Sequence, residues 1–216
     1  MISIAIMAVE ERRQHVEKIT GLLDVPIEVV WDTDRKGPWW CWREAWLRRN
    51  PEATHHVVLQ DDILPCADLC ATLEAIVESR PNDVISGFLP RKSVEKAHES
   101  NLHWVLCRRF LWGQCLMMPR TLGDEAIRWI DANEGSALAE KDNWSHHDDV
   151  RLASFFRGHK LGVYVTVPNI VEHVGDELGS VLNHHGPAHR RRARVWVGSM
   201  GYGAKINWND LRYVRE

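Results

Sequence analysis

His56-Val-Val-Leu-Gln60, running without a break into Asp61-Asp62, is the stretch that decides the fold class of this chain. A short apolar run with β-branched residues reads as a strand buried on both faces. Two carboxylates at its end read as the polar edge of a sheet. Working back toward the N-terminus, Ile2 to Val9 is a second run of the same kind. Glu10 to Leu23 places Val16, Ile19, Leu22 and Leu23 at helical spacing. Ile27 to Trp31 is a strand closed by the polar turn Asp32 to Pro38. A helix from Trp39 to Asn50 carries Trp39, Trp42 and Trp46 on one face and stops at Pro51. Working forward, Ala67 to Arg80 is an amphipathic helix and Asp83 to Phe88 a strand. Leu89 to Leu102 is polar, a loop or short helix. His103 to Cys107 and Leu111 to Met118 read as hairpin-like strands, Thr121 to Ala132 as a helix, and Asn133 to His147 as a polar connection. Asp148 to Arg157 is helical, and Leu161 to Val167 is a strand stopped by Pro168. Strands alternating with helices predict an α/β fold with a doubly wound, largely parallel sheet.

Composition sets the outer limits. At 216 residues, with 44% hydrophobic and 26% charged, the chain has enough apolar material for a core without disulfide or metal staples. A formal net charge of -3 gives no general attraction to nucleic acid or anionic membrane, so any such preference must be local. The five cysteines (Cys41, Cys66, Cys70, Cys107, Cys115) fall at irregular spacings without a second close pair, and are expected to be reduced and structural. No segment approaches the ~18 apolar residues of a membrane span, and Met1 to Met7 lacks the pattern of a secretion signal. A cytoplasmic protein is expected. Eleven tryptophans are many for this length, and five fall between Trp31 and Trp46. They read as core filling, or as a stacking wall beside a sugar or base.

In open α/β sheets ligands bind beyond the carboxyl ends of the strands. Asp61 and Asp62 stand there, and adjacent carboxylates repel unless positive charge lies near them. Mg²⁺ or Mn²⁺ supplies such charge and recruits one or two carboxylates together with ligand phosphates. Solvated acids ahead of a helix explain the dipeptide equally well. Asp148 and Asp149, after His146 and His147, open another helix. There an aspartate caps exposed N–H groups, which leaves its neighbour able to act as a general base. His173, in Pro168 to Gly175, sits past a strand end and is a candidate metal ligand as a neutral imidazole. An ordinary hydrogen-bonded histidine is the plainer reading, and His184 and His185 carry the same ambiguity.

Val57-Val-Leu-Gln-Asp-Asp-Ile-Leu-Pro65 resembles the strand-plus-acidic motif of GT-A glycosyltransferases, in particular the family of lipooligosaccharide and collagen galactosyltransferases. Gln60 stands where that family usually has Glu. Trp112 to Arg120, His147 to Val150 and Pro168 to Ser180 are similar to later segments of such enzymes, in the same order. The resemblance implies a GT-A catalytic domain over residues 1–183, with 184–216 as a basic tail or lid of the same domain. It implies a nucleotide-sugar donor, a UDP-sugar foremost, with Mn²⁺ or Mg²⁺ on its diphosphate. By position, Asp62 is then the principal metal ligand, with Asp61 its partner toward ribose or metal and His173 a further ligand. Val9, Glu10 and Arg12 line the nucleotide pocket, and Asp32 lies near the base or ribose. Asp148 or Asp149 is the catalytic base, and direct displacement inverts the anomeric centre.

His189 to Arg194 forms a local basic patch, read as a solvated tail, as a contact to the donor diphosphate, or as a surface for a polyanionic acceptor such as modified DNA. The acceptor itself is a hydroxyl on a glycan, a protein or, less favoured, modified DNA. Trp196 and Trp208 stack on a ligand or dock the tail. Two rival functions remain at this stage. One is a metal-dependent phosphohydrolase or phosphotransferase using both Asp-Asp pairs. The other is a binding module that keeps the fold without turnover.

Overall fold

The computed structural model describes residues 1–23, 25–110, 112–144, 147–178 and 191–216. The first half runs β1 (Ile2–Ala8), α1 (Arg13–Gly21), β2 (Ile27–Trp31), α2 (Pro38–Leu47), β3 (His55–Gln60), β4 (Ile63–Pro65), α3 (Leu69–Ser79) and β5 (Val84–Ser86). The second half runs α4 (Lys92–Glu99), β6 (Trp104–Cys107), β7 (Cys115–Pro119), α5 (Arg120–Asn133), α6 (Ala137–Lys141) and α7 (Asp148–Gly158). It continues with β8 (Val163–Thr166), β9 (Val171–His173), α8 (Gly175–Leu178) and β10 (Tyr213–Arg215). Eight strands form one mixed, mostly parallel sheet in the order β10-β6-β8-β5-β7-β3-β1-β2, flanked by helices. β4 and β9 form a separate two-stranded antiparallel ribbon. The α/β class expected from the strand-helix alternation is the one observed.

Alternation within the strands builds two cores. Ile4, Ile6, Val57 and Leu59 face one side, where they meet Val16 and Ile19 of α1 and Leu69, Leu73 and Ile76 of α3. Ala5, Met7 and Val58 face the other side, against Trp42 and Trp46 of α2, Ile127 and Ile130 of α5, and Leu152 and Phe155 of α7. Both faces of β1 and β3 are therefore dry, which is why these strands read as unbroken apolar runs rather than as alternating ones. The tryptophan face of α2 is a stack: Trp39, Trp42 and Trp46 follow one another at ring separations of 5.5 Å.

The second half departs from its sequence reading in three places. β6 and β7 do not form a hairpin. β7 inserts antiparallel between β3 and β5, while β6 pairs with β8 and β10. The strand expected from Leu111 begins only at Cys115, and Leu111 itself lies outside the described residues. Leu89 to Leu102, read as a loop or short helix, does contain a two-turn helix, α4, held by burial of Val94 and Ala97 at i, i+3 spacing. The polar stretch from Asn133 holds the short α6, started by Ser136, whose hydroxyl accepts the Ala139 N–H at 3.3 Å.

Residues 191–216 belong to the same body. Trp208 is buried against Trp104, and β10 extends the sheet beside β6. Asp68 takes the N–H groups of Gly203 and Ala204 at 2.7 and 3.0 Å, which fastens this segment to the start of α3. Among the described residues no helix is long and apolar enough to cross a membrane.

Candidate active site

Register brings the strand ends to one level. In the parallel pairs, Met7 lies opposite Gln60 and Ala8 opposite Trp31. The next residue of each strand (Val9, Asp61 and Asp32) therefore emerges at the same edge. The Val9 N–H donates to Asp61 Oδ2 at 2.8 Å, and the Asp32 N–H donates to the Ala8 carbonyl at 2.8 Å. Asp61 is buried, and its other oxygen accepts a hydrogen bond from Arg12, which lies in the single 3-10 turn that follows β1. The same guanidinium nitrogen lies 3.0 Å from Asp62 Oδ2. Arg12, only 9% exposed, thus sits between the two carboxylates and supplies the positive charge that an adjacent acidic pair demands.

The small ribbon brings the third member. Ile63 of β4 lies opposite His173 of β9, and the Val174 N–H donates to the Asp62 carbonyl at 2.7 Å. His173 Nε2 is consequently 3.3 Å from Asp62 Oδ2. A Cβ on Gly175 would lie 2.8 Å from that nitrogen and 3.0 Å from that oxygen, so only glycine leaves room beside the pair. Burial opposes ionising Asp62, but His173 and then Arg12 outweigh it and hold this carboxyl below the usual carboxylate range. Among the described residues, Asp62 Oδ1 and His173 Nδ1 are buried without hydrogen-bond partners.

Asp148 stands at the N-terminus of α7. It is 3% exposed, and its Oδ2 has no hydrogen-bond partner among the described residues. Burial first, then the charges of Asp149 and Asp62, push its carboxyl up to about 7 against the pull of nearby backbone N–H groups. A Cβ on Gly113 would stand 3.1 Å from that Oδ2 and 3.3 Å from the Gln60 amide nitrogen, so Gly113 keeps the wall between Gln60 and Asp148 open. Asp149 is partly buried beside it.

Other residues singled out from the sequence have partners of their own. Asp32 spends both oxygens on its own loop, accepting the N–H groups of Lys36 and Gly37 at 2.7 and 2.8 Å. Glu10 is exposed and pairs with Arg13, whose guanidinium lies 4.2 Å over the Trp31 ring. Arg192 pairs with Asp176 and Glu177, and Arg194 approaches Glu95 at 3.6 Å. These two arginines of the basic patch meet acidic side chains of the protein itself. His146, Ser180, His184, His185, His189 and Arg190 lie outside the described residues. Cys41, Cys66, Cys107 and Cys115 are buried, and burial lifts the thiols of Cys41 and Cys115 to about 12 and Cys66 to about 11, which removes them as nucleophiles near neutral pH.

Sequence reasoning did not foresee that Arg12 bridges the acidic pair, nor the space kept by Gly113 and Gly175. Only the position of Arg12 shortly after a strand end pointed to the first, and nothing in the sequence pointed to the second.

A divalent ion can be tested against these donors. Among the described residues no group of three or more His, Cys, Asp and Glu side chains converges on one point. Two do: Asp62 and His173. Neighbouring ligands of an octahedral Mg²⁺, each at ~2.1 Å, stand about 3 Å apart, close to the separation seen here. Mg²⁺ commonly keeps one or two protein ligands and takes the rest from water and phosphate. The donor set fits such an ion.

Fold and site together define an α/β protein with an acidic pair, an arginine and a histidine gathered at the carboxyl edge of its sheet. No model of a known protein family matches the chain, and no curated protein matches it.

Proposed function

We propose that this protein is a metal-dependent glycosyltransferase of the GT-A type, moving a sugar from a nucleotide-sugar to a hydroxyl acceptor with inversion. One observation carries the reading. Asp62, paired with His173, lies near enough to Asp148 that its charge adds to the burial that raises this carboxyl. A metal-binding carboxylate and a separate base suit displacement by a hydroxyl.

Asp62 and His173 would hold Mn²⁺ or Mg²⁺, which when bound offsets the negative charge that develops on a departing nucleoside diphosphate. Asp61, fixed by the Val9 N–H and by Arg12, sets the floor of the nucleotide site. Asp148, in its ionised form, accepts the proton of the attacking hydroxyl, and a pKa near 7 suits that task at neutral pH. Its Oδ2 requires a new hydrogen-bond partner, and an acceptor hydroxyl is one.

A thermal-shift screen of nucleotide-sugars, UDP-sugars first, with and without Mn²⁺ tests the proposal. A ligand that binds only the native state raises the melting temperature. A shift that needs both sugar nucleotide and Mn²⁺, and that disappears in Asp62→Ala, is the expected result. Full transferase activity in Asp62→Ala would remove the metal assignment.

A further inference from the structure

Resting on that metal-dependent reading, we propose that Arg12 is a resident counter-ion of Asp62, which a divalent ion must displace. The ion then binds weakly by itself and strongly only when a diphosphate arrives with it. The contacts argue for this directly. Asp62 Oδ2 is the oxygen that faces His173 Nε2 at 3.3 Å, and it is also the oxygen that Arg12 Nη1 holds at 3.0 Å. The atom best placed to bind metal is therefore already engaged by a full positive charge.

Arg12 cannot leave by losing its proton, because guanidinium stays charged at any physiological pH. Nor is it easily moved, since the same nitrogen is bonded to buried Asp61, itself anchored by the Val9 N–H. A dication placed on Asp62 would stand a few ångströms from this cation, and both side chains are largely buried, so repulsion between the two is only weakly screened. A diphosphate changes the balance. It brings several negative charges, and its oxygens match the fork of donors that guanidinium presents. Arg12 then turns from Asp62 to phosphate, and the freed oxygen takes the metal. The pairing makes metal loading conditional on the donor.

Mn²⁺ titration of the full chain without nucleotide, followed by the electron paramagnetic resonance signal of the free ion, tests this. The wild-type protein is compared with Asp62→Asn, Arg12→Gln and Arg12→Lys. Arg12→Gln removes the competing charge and is expected to bind Mn²⁺ at least tenfold more tightly than wild type. Lysine keeps a point charge without the planar fork, so Arg12→Lys is expected to fall between them. Asp62→Asn removes binding. If Arg12→Gln does not fold, Arg12→Lys against wild type decides alone. Affinity equal to or weaker than wild type in the Arg12 variants overturns the counter-ion role, while loss of binding in Asp62→Asn still upholds the metal site. Absence of Mn²⁺ binding from wild type and both Arg12 variants overturns the metal reading and the inference with it.

Discussion

Asp148 illustrates how a single side chain links stability to chemistry. It is a carboxyl taken out of water at a helix N-terminus, beside two other acids, and its pKa rises from 3.8 to about 7. The folded protein therefore binds a proton there that the unfolded chain releases between pH 3.8 and about 7. Whatever stability this group contributes is fully present below pH 3.8 and is lost as pH rises through about 7. Asparagine mimics the protonated form. Asp148→Asn is expected to melt higher than wild type, by a margin that grows from pH 5 to pH 8 in a pH series of thermal melts. A margin independent of pH would show that Asp148 is not buried as described. In the proposed reaction the same substitution lowers turnover by roughly 10²–10⁴-fold, the usual contribution of a general base. Donor affinity stays near wild type. Wild-type turnover should rise with pH through about 7 as Asp148 ionises, and a flat profile in steady-state rates would place the base elsewhere.

At the scale of elements, the contact between α2 and α5 shows how closely two helices are fitted. Trp46, fully buried in α2, covers Gly123 of α5 so closely that a Cβ there would lie 1.8 Å from the indole ring. Its N–H donates to Asp124 at 3.1 Å, and Arg49 bonds to the same carboxylate, so the ring has little freedom to retreat. Gly123→Ala is expected to cost about 3 kcal/mol or more, at or beyond the upper end of ordinary overpacking. At Gly21, the last residue of α1, an added Cβ meets nothing within 4 Å. Gly21→Ala should instead stabilise by ~0.5–1 kcal/mol through the unfolded chain. Urea denaturation of both variants checks the contrast, and equal effects would contradict the packing. The strands and helices of the first half were legible in the sequence because each signal is local. Trp39, Trp42 and Trp46 announce one face of α2 by spacing alone. That the face presses on a glycine some 77 positions later cannot be read from spacing. Neither can the insertion of β7 between β3 and β5, since its short apolar run suits a hairpin equally well.

For the whole molecule, the C-terminal segment matters more than its basic composition indicates. Trp208 is 2% exposed, its indole N–H donates to the Gly203 carbonyl at 3.1 Å, and its own carbonyl accepts the indole N–H of Trp104 at 3.2 Å. Together with Asp68 and β10 this joins residues 191–216 to α3 and to the far edge of the sheet. Trp208→Ala should cost about 3–5 kcal/mol, as for other buried tryptophans, and lower the urea midpoint of the entire transition. A separate early transition, with the main one unchanged, would mean that the segment folds independently.

By itself the sequence determined the α/β class, most first-half elements, and the presence of acids at strand ends, because periodicity and turn chemistry act between near neighbours. It marked Asp61, Asp62, Asp148 and His173 as candidates, and only the family resemblance, not their spacing, implied that Asp61, Asp62 and His173 meet. Only the tertiary structure decided that Arg12 lies between Asp61 and Asp62, 49 positions away from the first, and that the β4–β9 ribbon sets His173 beside Asp62. It also turned Asp32 inward to its own loop and gave two arginines of the basic patch acidic partners within the protein. Those outcomes depend on charge and hydrogen-bond geometry across strands distant in sequence, where neither periodicity nor local propensity carries information.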